Sequence, residues 1–401
     1  MNTHLRVCNG KISDGENPVQ LKGTNFAGWL MMEGYIMGAR NIAVQAFKKD
    51  FARRLGKRAL ADFEKDFYQN FIQRSDFDRA RALGFNCIRL PFHCGLVEAA
   101  PFKINRSGVA YLDKALQWAK AADLRVILDM HAAPGAQNHD WHSDSLGRAR
   151  FWDSVRYQQR ACAVWEYLAD RYKDDTAVAG YDLLNEAVVG DVKKLNAFYK
   201  KAICAIRSAD RHHVIFVEGN RWAMDLEALD DFDDGNLAFS IHFYHPIEFS
   251  FNFIPGLKYP LRSKKGTFGR GTLKRMVDQY ARFARKKCRP VLVGELGVNS
   301  RAGVWGDELL LVDTLDCLNQ AGFHWTYWTF KAVKSHMFPD GIYSYFSNDP
   351  WVSRQGPKFG WETYADIWKD QRRKIVGSWR TEKFVLNQGV AAILKQAARS
   401  S

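Results

Sequence analysis

The chain has 401 residues, of which 47% are hydrophobic, 25% charged and 14% aromatic, the balance of a folded globular protein. Nowhere do 18 apolar residues run together, which excludes a membrane-spanning helix. A net charge of +14 invites a polyanion partner, but the basic residues are dispersed and no finger, recognition-helix or RNP-like signature accompanies them, so neither nucleic acid nor membrane is expected as a partner.

The first residues, MNTHLRVCNGKISDGENP, lack the apolar stretch of a signal peptide, so a cytoplasmic location is expected, or a secreted one if a signal has been removed. Seven cysteines without a CxxC pair suggest neither a disulfide framework nor a zinc site. Cys87, Cys204 and Cys288 lie in or beside apolar runs and read as small core residues. Basic clusters at 262–275 and at Arg372, Arg373 and Lys374 read as solvated surface.

Short apolar, β-branched-rich runs follow one another along the chain. They are VQLKGTNF (19–26), NCIRLPF (86–92), RVILDMH (125–131), AGYDLLNE (179–186), HVIFVEG (213–219), LAFSIHFY (237–244), RPVLVGELG (289–297) and HWTYWTFK (324–331). Helical patterns separate them, such as YLDKALQWAKAADL before Arg125 and KKLNAFYKKAICAIRS from Lys193; the fifth helix, around WAMDLEALD, is short. Strands too apolar to have a wet face, alternating with helices, imply a parallel sheet covered on both sides. Eight such units, with no GxGxxG after the first strand, predict an α/β protein: a (β/α)8 TIM barrel in one domain spanning 1–401. Two regions exceed the repeat. Residues 37–72 form a mostly helical insertion after strand 1, and residues 332–401 form a long final loop and C-terminal extension, the loop (332–360) being rich in Tyr, Phe, Trp, Pro and Gly.

A barrel gathers the C-terminal ends of its strands around one pocket. The ends supply Arg89, His131, Asn185 with Glu186, Glu218, His242 with Tyr244, Glu295 and Trp328. Each has an ordinary reading as an ion-pair partner, a satisfied core histidine or a core ring; so many polar ends on one rim favour a site. Glu186 and Glu295, on strands 4 and 7, would face each other across the pocket. Two carboxyls so placed are what glycoside hydrolysis needs. Glu218 is a third strand-end carboxylate that position alone does not exclude. His139, His142 and His245 with Asp129 and His131 would be the donors of a barrel metallohydrolase, but no HxH pair ends the first strand, so no metal and no cofactor is expected.

GTNFAGWLMMEGYI, FNCIRLPF, VILDMHAAPGAQN, LLNE, IHFY, VGELG and TYWTFK, in this order from about Leu21 to Lys331, resemble glycoside hydrolase family 5, especially its fungal exo-β-1,3-glucanase-like branch. The resemblance implies a retaining mechanism with Glu186 as general acid/base and Glu295 as nucleophile. It further implies that Asn185 bonds the sugar 2-hydroxyl and that Arg89 and Tyr244 orient Glu295. By the same resemblance His131 and His242 line the sugar subsite or support the acid/base, and Trp328 forms its floor. Glu33 and Tyr35 in MMEGY resemble positions that bind the non-reducing glucosyl unit; read from the residues alone, Glu33 is equally a surface acid on a helical turn. Ala187 stands where a Pro often follows the acid/base. The expected substrate is therefore a β-linked glucan or glucoside, attacked from its non-reducing end. An open-cleft endo-β-1,4-glucanase is the alternative within the family, and a non-catalytic carbohydrate-binding barrel the alternative outside it.

Overall fold

The computed structural model describes residues 3–15, 17–264, 266–345 and 361–400. Eight parallel strands close into a barrel: β1 (Lys22–Asn25), β2 (Cys87–His93), β3 (Arg125–Ala132), β4 (Val178–Asp182), β5 (Val214–Glu218), β6 (Leu237–His242), β7 (Val291–Leu296) and β8 (His324–Tyr327). Each pairs with its neighbour in sequence, and β8 closes on β1 through Trp325 opposite Lys22. Each expected run contains or overlaps one strand, the ends agreeing to within three residues except at two. β4 stops at Asp182, not Glu186, and β8 stops at Tyr327, after which Lys331–Val333 leaves the barrel to pair with Tyr343–Tyr345. Apolar continuity misled there because Leu183 and Leu184 stay buried in the turn beyond the strand.

The helices on the outside are α3 (Arg74–Ala82), α4 (Arg106–Ala121), α5 (Val155–Tyr172), α6 (Val192–Ala209), α7 (Arg270–Lys286), α8 (Asp307–Gln320) and α10 (Gln388–Arg399), after the insertion helices α1 (Val44–Leu55) and α2 (Lys57–Asn70) and with α9 (Trp361–Ser378) before the last. Residues Asn220–Ala223 are all that stands in the fifth helical position. The end of the chain is part of the barrel wall: α10 packs beside α8, and its terminal carbonyls at Ala397 and Ser400 accept hydrogen bonds from the Lys22 ammonium. Of the long loop 332–360, residues 346–360 lie outside the described residues.

The insertion forms because its apolar residues recur at helical spacing, Val44, Phe47 and Phe51 on α1 and Phe63 and Phe67 on α2. That face packs against rings supplied some 300 residues later: Phe47 stacks on Trp361 at 5.2 Å, Phe63 meets Trp368 at 5.2 Å, and Phe67 meets Trp379 at 5.0 Å. Lys331, wholly buried, ties the seam by donating to the Phe71 and Trp379 carbonyls. Cys87 is buried as expected, but Cys204 and Cys288 are exposed, since both fall on the solvent side of apolar stretches.

Inside the barrel, alternation with period two builds layers. The floor is apolar: Cys87, Ile127, Phe216, Ala238 and Leu292, capped from below by Leu5 and Ile12 of a small N-terminal sheet. Two residues further along the same strands stand Arg89, Asp129, Glu218, Ser240 and Gly294. A Cβ on Gly294 would lie 3.3 Å from Arg89 Nε and 3.1 Å from Ser240 Oγ, close enough that the guanidinium or the hydroxyl would have to shift by a few tenths of an ångström. One layer higher come His131 and His242.

Candidate active site

Arg89 is the hub of the charged layer and is wholly buried. Its Nε donates to Asp182 Oδ2 at 2.8 Å, Nη1 to Glu295 Oε1 at 2.9 Å and Asn25 Oδ1 at 3.2 Å, and Nη2 to Asn185 Oδ1 at 2.9 Å and Glu218 Oε1 at 3.0 Å. Asp129 Oδ2 lies 3.2 Å from Nη2. Four carboxylates around one guanidinium cannot all be charged at low cost. Burial, with the Glu218 charge adding to it against Arg89, raises Asp182 well above the ordinary carboxylate range.

Glu295 stands at the end of β7 with both oxygens occupied, Oε1 by Arg89 and Oε2 by the Tyr244 hydroxyl at 2.8 Å. Glu186 lies four residues beyond β4, in a turn that gives it a left-handed φ of 49°. An outlier of this kind in a non-glycine residue costs of order 1–3 kcal/mol and persists only where the surroundings impose it. Here the Glu186 N–H donates to Glu218 Oε2 at 2.6 Å, and its carbonyl accepts from Asn138 Nδ2 at 2.9 Å. The carboxylate is gripped by two imidazoles: His242 Nδ1 reaches Oε1 at 2.7 Å and His142 Nε2 reaches Oε2 at 2.9 Å. His242 Nδ1 also lies 3.5 Å from Glu295 Oε2, and one oxygen of each carboxylate and a ring nitrogen of His242 fall within 4.8 Å of one another.

The electrostatics of the pair follow from these contacts. Burial opposes a charge on Glu186, yet the hydrogen bonds from His142 and His242 outweigh it and hold the carboxyl well below its ordinary range. Burial raises Glu295, and the neighbouring Glu186 charge adds to that, against His242 and Arg89. His242 is raised well above the ordinary histidine value by Glu295, Glu218 and Glu186 in spite of burial.

His131 continues the ring. Its Nδ1 bonds Asp129 Oδ2 at 2.8 Å, its Nε2 lies 3.5 Å from Glu33 Oε1, and it stacks on Trp328 at 5.3 Å. Burial disfavours its charge, but Asp129 and Glu33 prevail and push its pKa up to about 10. Trp328 Nε1 in turn donates to the Tyr35 hydroxyl. Glu33 is only 2% exposed, so it is no surface acid, and its Oε1 makes no hydrogen bond. Tyr35 packs on Phe338 at 4.9 Å and on Trp141 at 6.0 Å.

The ten sequence-derived site residues are therefore joined in one network of contacts at the C-terminal ends of the strands, and Glu218 lies beneath it as a supporting carboxylate. The histidines considered as metal donors do not gather: among the described residues, the group of three or more donors that could hold an ion is Glu186, His242 and Glu295. Every carboxylate oxygen in that group already has a hydrogen-bond donor, and Arg89 sets a fixed positive charge beside it. Sequence reasoning missed Asp129 and Asp182 as partners of Arg89, and His142, Asn138 and Gln137 as partners of the turn that carries Glu186. Gln137 Nε2 bonds both the His131 and Asn185 carbonyls at 2.7 Å. The signal for Asp129 was its place two residues before His131 on one strand; Gln137 and Asn138 close the motif VILDMHAAPGAQN, and His142 reads from the sequence only as a metal donor.

The family described as Cellulase (glycosyl hydrolase family 5) matches residues 44–334. A beta-xylosidase from Phanerodontia chrysosporium is 32% identical over 346 residues, covering 82% of this chain and 71% of that protein. Endoglucanase C of Acetivibrio thermocellus is 30% identical over 47% of this chain, and a probable glucan 1,3-beta-glucosidase A of Aspergillus niger is 28% identical over 55%. The chain spans 54% and 58% of those two proteins' lengths. Among solved structures, the endoglucanase Cel5A of Thermotoga maritima superposes with a TM-score of 0.64 at 19% identity, over 93% of this chain and 96% of that one, a likeness of fold.

Proposed function

The chain belongs to glycosyl hydrolase family 5, and on that premise we propose that it is a retaining β-glycosidase in which Glu295 attacks the anomeric carbon while Glu186 protonates the departing oxygen. The observation that carries this reading is that one oxygen of each carboxylate lies within 4.8 Å of the other, with His242 Nδ1 in reach of both, which favours the short carboxyl separation of about 5–5.5 Å of direct displacement over the wider gap that admits an attacking water. In the second half-reaction Glu186, now ionised, takes a proton from the water that releases the sugar.

At rest the shifts run against these roles, Glu186 being held ionised and Glu295 raised, and coupling reverses them. Glu295 is raised in part because ionised Glu186 stands beside it. Once a proton reaches Glu186 that repulsion disappears, and Arg89 and Tyr244 hold Glu295 as the anion that attacks. Asn185, fixed by Arg89, is aimed at the sugar 2-hydroxyl, and the Trp328 ring lies under the sugar.

The substrate is a β-linked glucan or glucoside cut from its non-reducing end. Glu33 supports the exo reading: a buried carboxylate oxygen without a hydrogen bond, next to Tyr35, is an acceptor for the hydroxyls of a terminal sugar. A xylosyl unit is the second reading, favoured by the beta-xylosidase that aligns with 82% of the chain. Early products from β-1,3-, β-1,4- and β-1,6-linked glucans should be monosaccharide, and a ladder of mixed oligosaccharides would contradict exo action. Aryl β-glucoside and aryl β-xyloside, compared by kcat/KM, decide the glycone.

A further inference from the structure

His142 stands outside the set of residues that the sequence assigns to the pocket, yet it touches the carboxylate on which the proposed chemistry turns. Its Nε2 lies 2.9 Å from Glu186 Oε2 and 3.1 Å from Asn138 Nδ2. The Asn138 amide cannot be turned round, because Oδ1 accepts from the Asp140 N–H at 2.9 Å and Nδ2 donates to the Glu186 carbonyl at 2.9 Å. The imidazole nitrogen thus faces an acceptor on one side and a donor on the other, and it has either one hydrogen or one lone pair to offer. The two contacts are alternatives. When Glu186 is ionised, Nε2–H donates to it; when Glu186 carries the acid proton, the Nε2 lone pair takes the Asn138 N–H and leaves Oε2 free.

We propose that His142 is a positioning residue that follows the protonation of the acid/base: a solvent proton taken up at Nδ1 makes the ring an imidazolium, which hands its Nε2 proton to Glu186 and is left as the neutral Nδ1–H tautomer, its Nε2 lone pair accepting the Asn138 N–H. The proposal rests on the reading of Glu186 as acid/base. The transfer balances: a solvent proton (hydronium or buffer acid) adds at Nδ1, the N–H bond at Nε2 breaks and the O–H bond at Oε2 forms, so the net change is one solvent proton gained by Glu186 and a neutral imidazole before and after. The His142 side chain is 16% exposed, and no partner of Nδ1 lies among the described residues, so that edge is open to water. His242, on the other oxygen, is 1% exposed and faces Glu218 and Glu295 as well, so it holds charge but has no such exit. The remaining charged groups that act on His142 are Glu33 and His131, whose ring centre is 6.3 Å away.

The test compares His142→Ala and His142→Gln with the parent on two substrates, a β-linked oligosaccharide and a dinitrophenyl β-glucoside, whose leaving group departs without a proton. In both variants kcat/KM on the oligosaccharide should fall roughly 10-fold or more further than on the dinitrophenyl substrate, the lower part of what proton transfer contributes. The alkaline limb of kcat/KM against pH should move up in His142→Ala, because a hydrogen bond that favours ionised Glu186 is gone, and less in His142→Gln, whose amide still donates. Equal losses on both substrates, or a limb that stays in place in His142→Ala, would overturn the proposal. If the alanine variant does not fold, the glutamine variant decides it, since full activity on the oligosaccharide without a titratable group at 142 is incompatible with proton exchange there. Glu186→Gln keeps the readings separate: an equal loss on both substrates in that variant removes Glu186 as the acid whatever His142 does.

Discussion

Arg89 has no access to water and stands among Asp129, Asp182, Glu218 and Glu295, so its removal leaves buried negative charge uncompensated. Breaking a buried pair from one side costs about 3–5 kcal/mol. Arg89→Met should lower the unfolding free energy by about that much in urea titration, and a change below about 1 kcal/mol would show that the carboxylates take up protons without penalty. Glu186 and Glu295 could be read from the sequence because a polar residue at the end of an apolar run is conspicuous, and Arg89, which lies inside its strand and not at its end, because a guanidinium within an apolar run is more so. Asp182 could not. It lies inside such a run, and a barrel strand is buried on both faces, so hydrophobicity does not say which residues point to the axis and which to the helices. His142 and Asn138 sit in a loop whose path depends on partners from three strands, and no local pattern announces that.

The insertion helices depend on rings they cannot reach without the C-terminal segment. Phe63 touches Phe47, Phe51, Phe67, Trp368 and Trp379. Truncating a wholly buried ring of this kind costs about 3–5 kcal/mol, so Phe63→Ala should lose that in thermal or urea unfolding. A loss under about 1 kcal/mol would mean that the α1–α2 seam with α9 is loosely packed. Apolar spacing showed that these helices have a covered face, and it gave eight strands near their true positions. It could not say what covers the face, since Trp361, Trp368 and Trp379 arrive some 300 residues later. Nor could it find the ends of β4 and β8, where burial continues after strand pairing has stopped.

Across the whole molecule, two buried histidines set opposite limits on pH stability. His324 accepts the Leu21 N–H at 2.9 Å, and burial depresses it to about 4. It must stay neutral in the fold, so its contribution is complete above about pH 6.5, its unfolded value, and falls away as pH drops towards 4. His131 is raised to about 10 and must stay charged, so its contribution is complete below about pH 6.5 and is lost as pH climbs towards 10. Urea midpoints should therefore peak between these ranges, near neutrality, and decline on both sides. A midpoint that rises steadily from pH 6.5 to 9 would contradict a charged His131 held between Asp129 and Glu33.

These scales meet in the claim that Glu186 and Glu295 are close enough for a covalent glycosyl intermediate. Proton NMR of the anomeric signal, recorded in the first minutes of hydrolysis of an aryl β-glycoside before mutarotation, tests it most directly. The β-anomer should appear first. Initial release of the α-anomer would mean that a water attacks in place of Glu295, and the proposed geometry of the pair would be wrong.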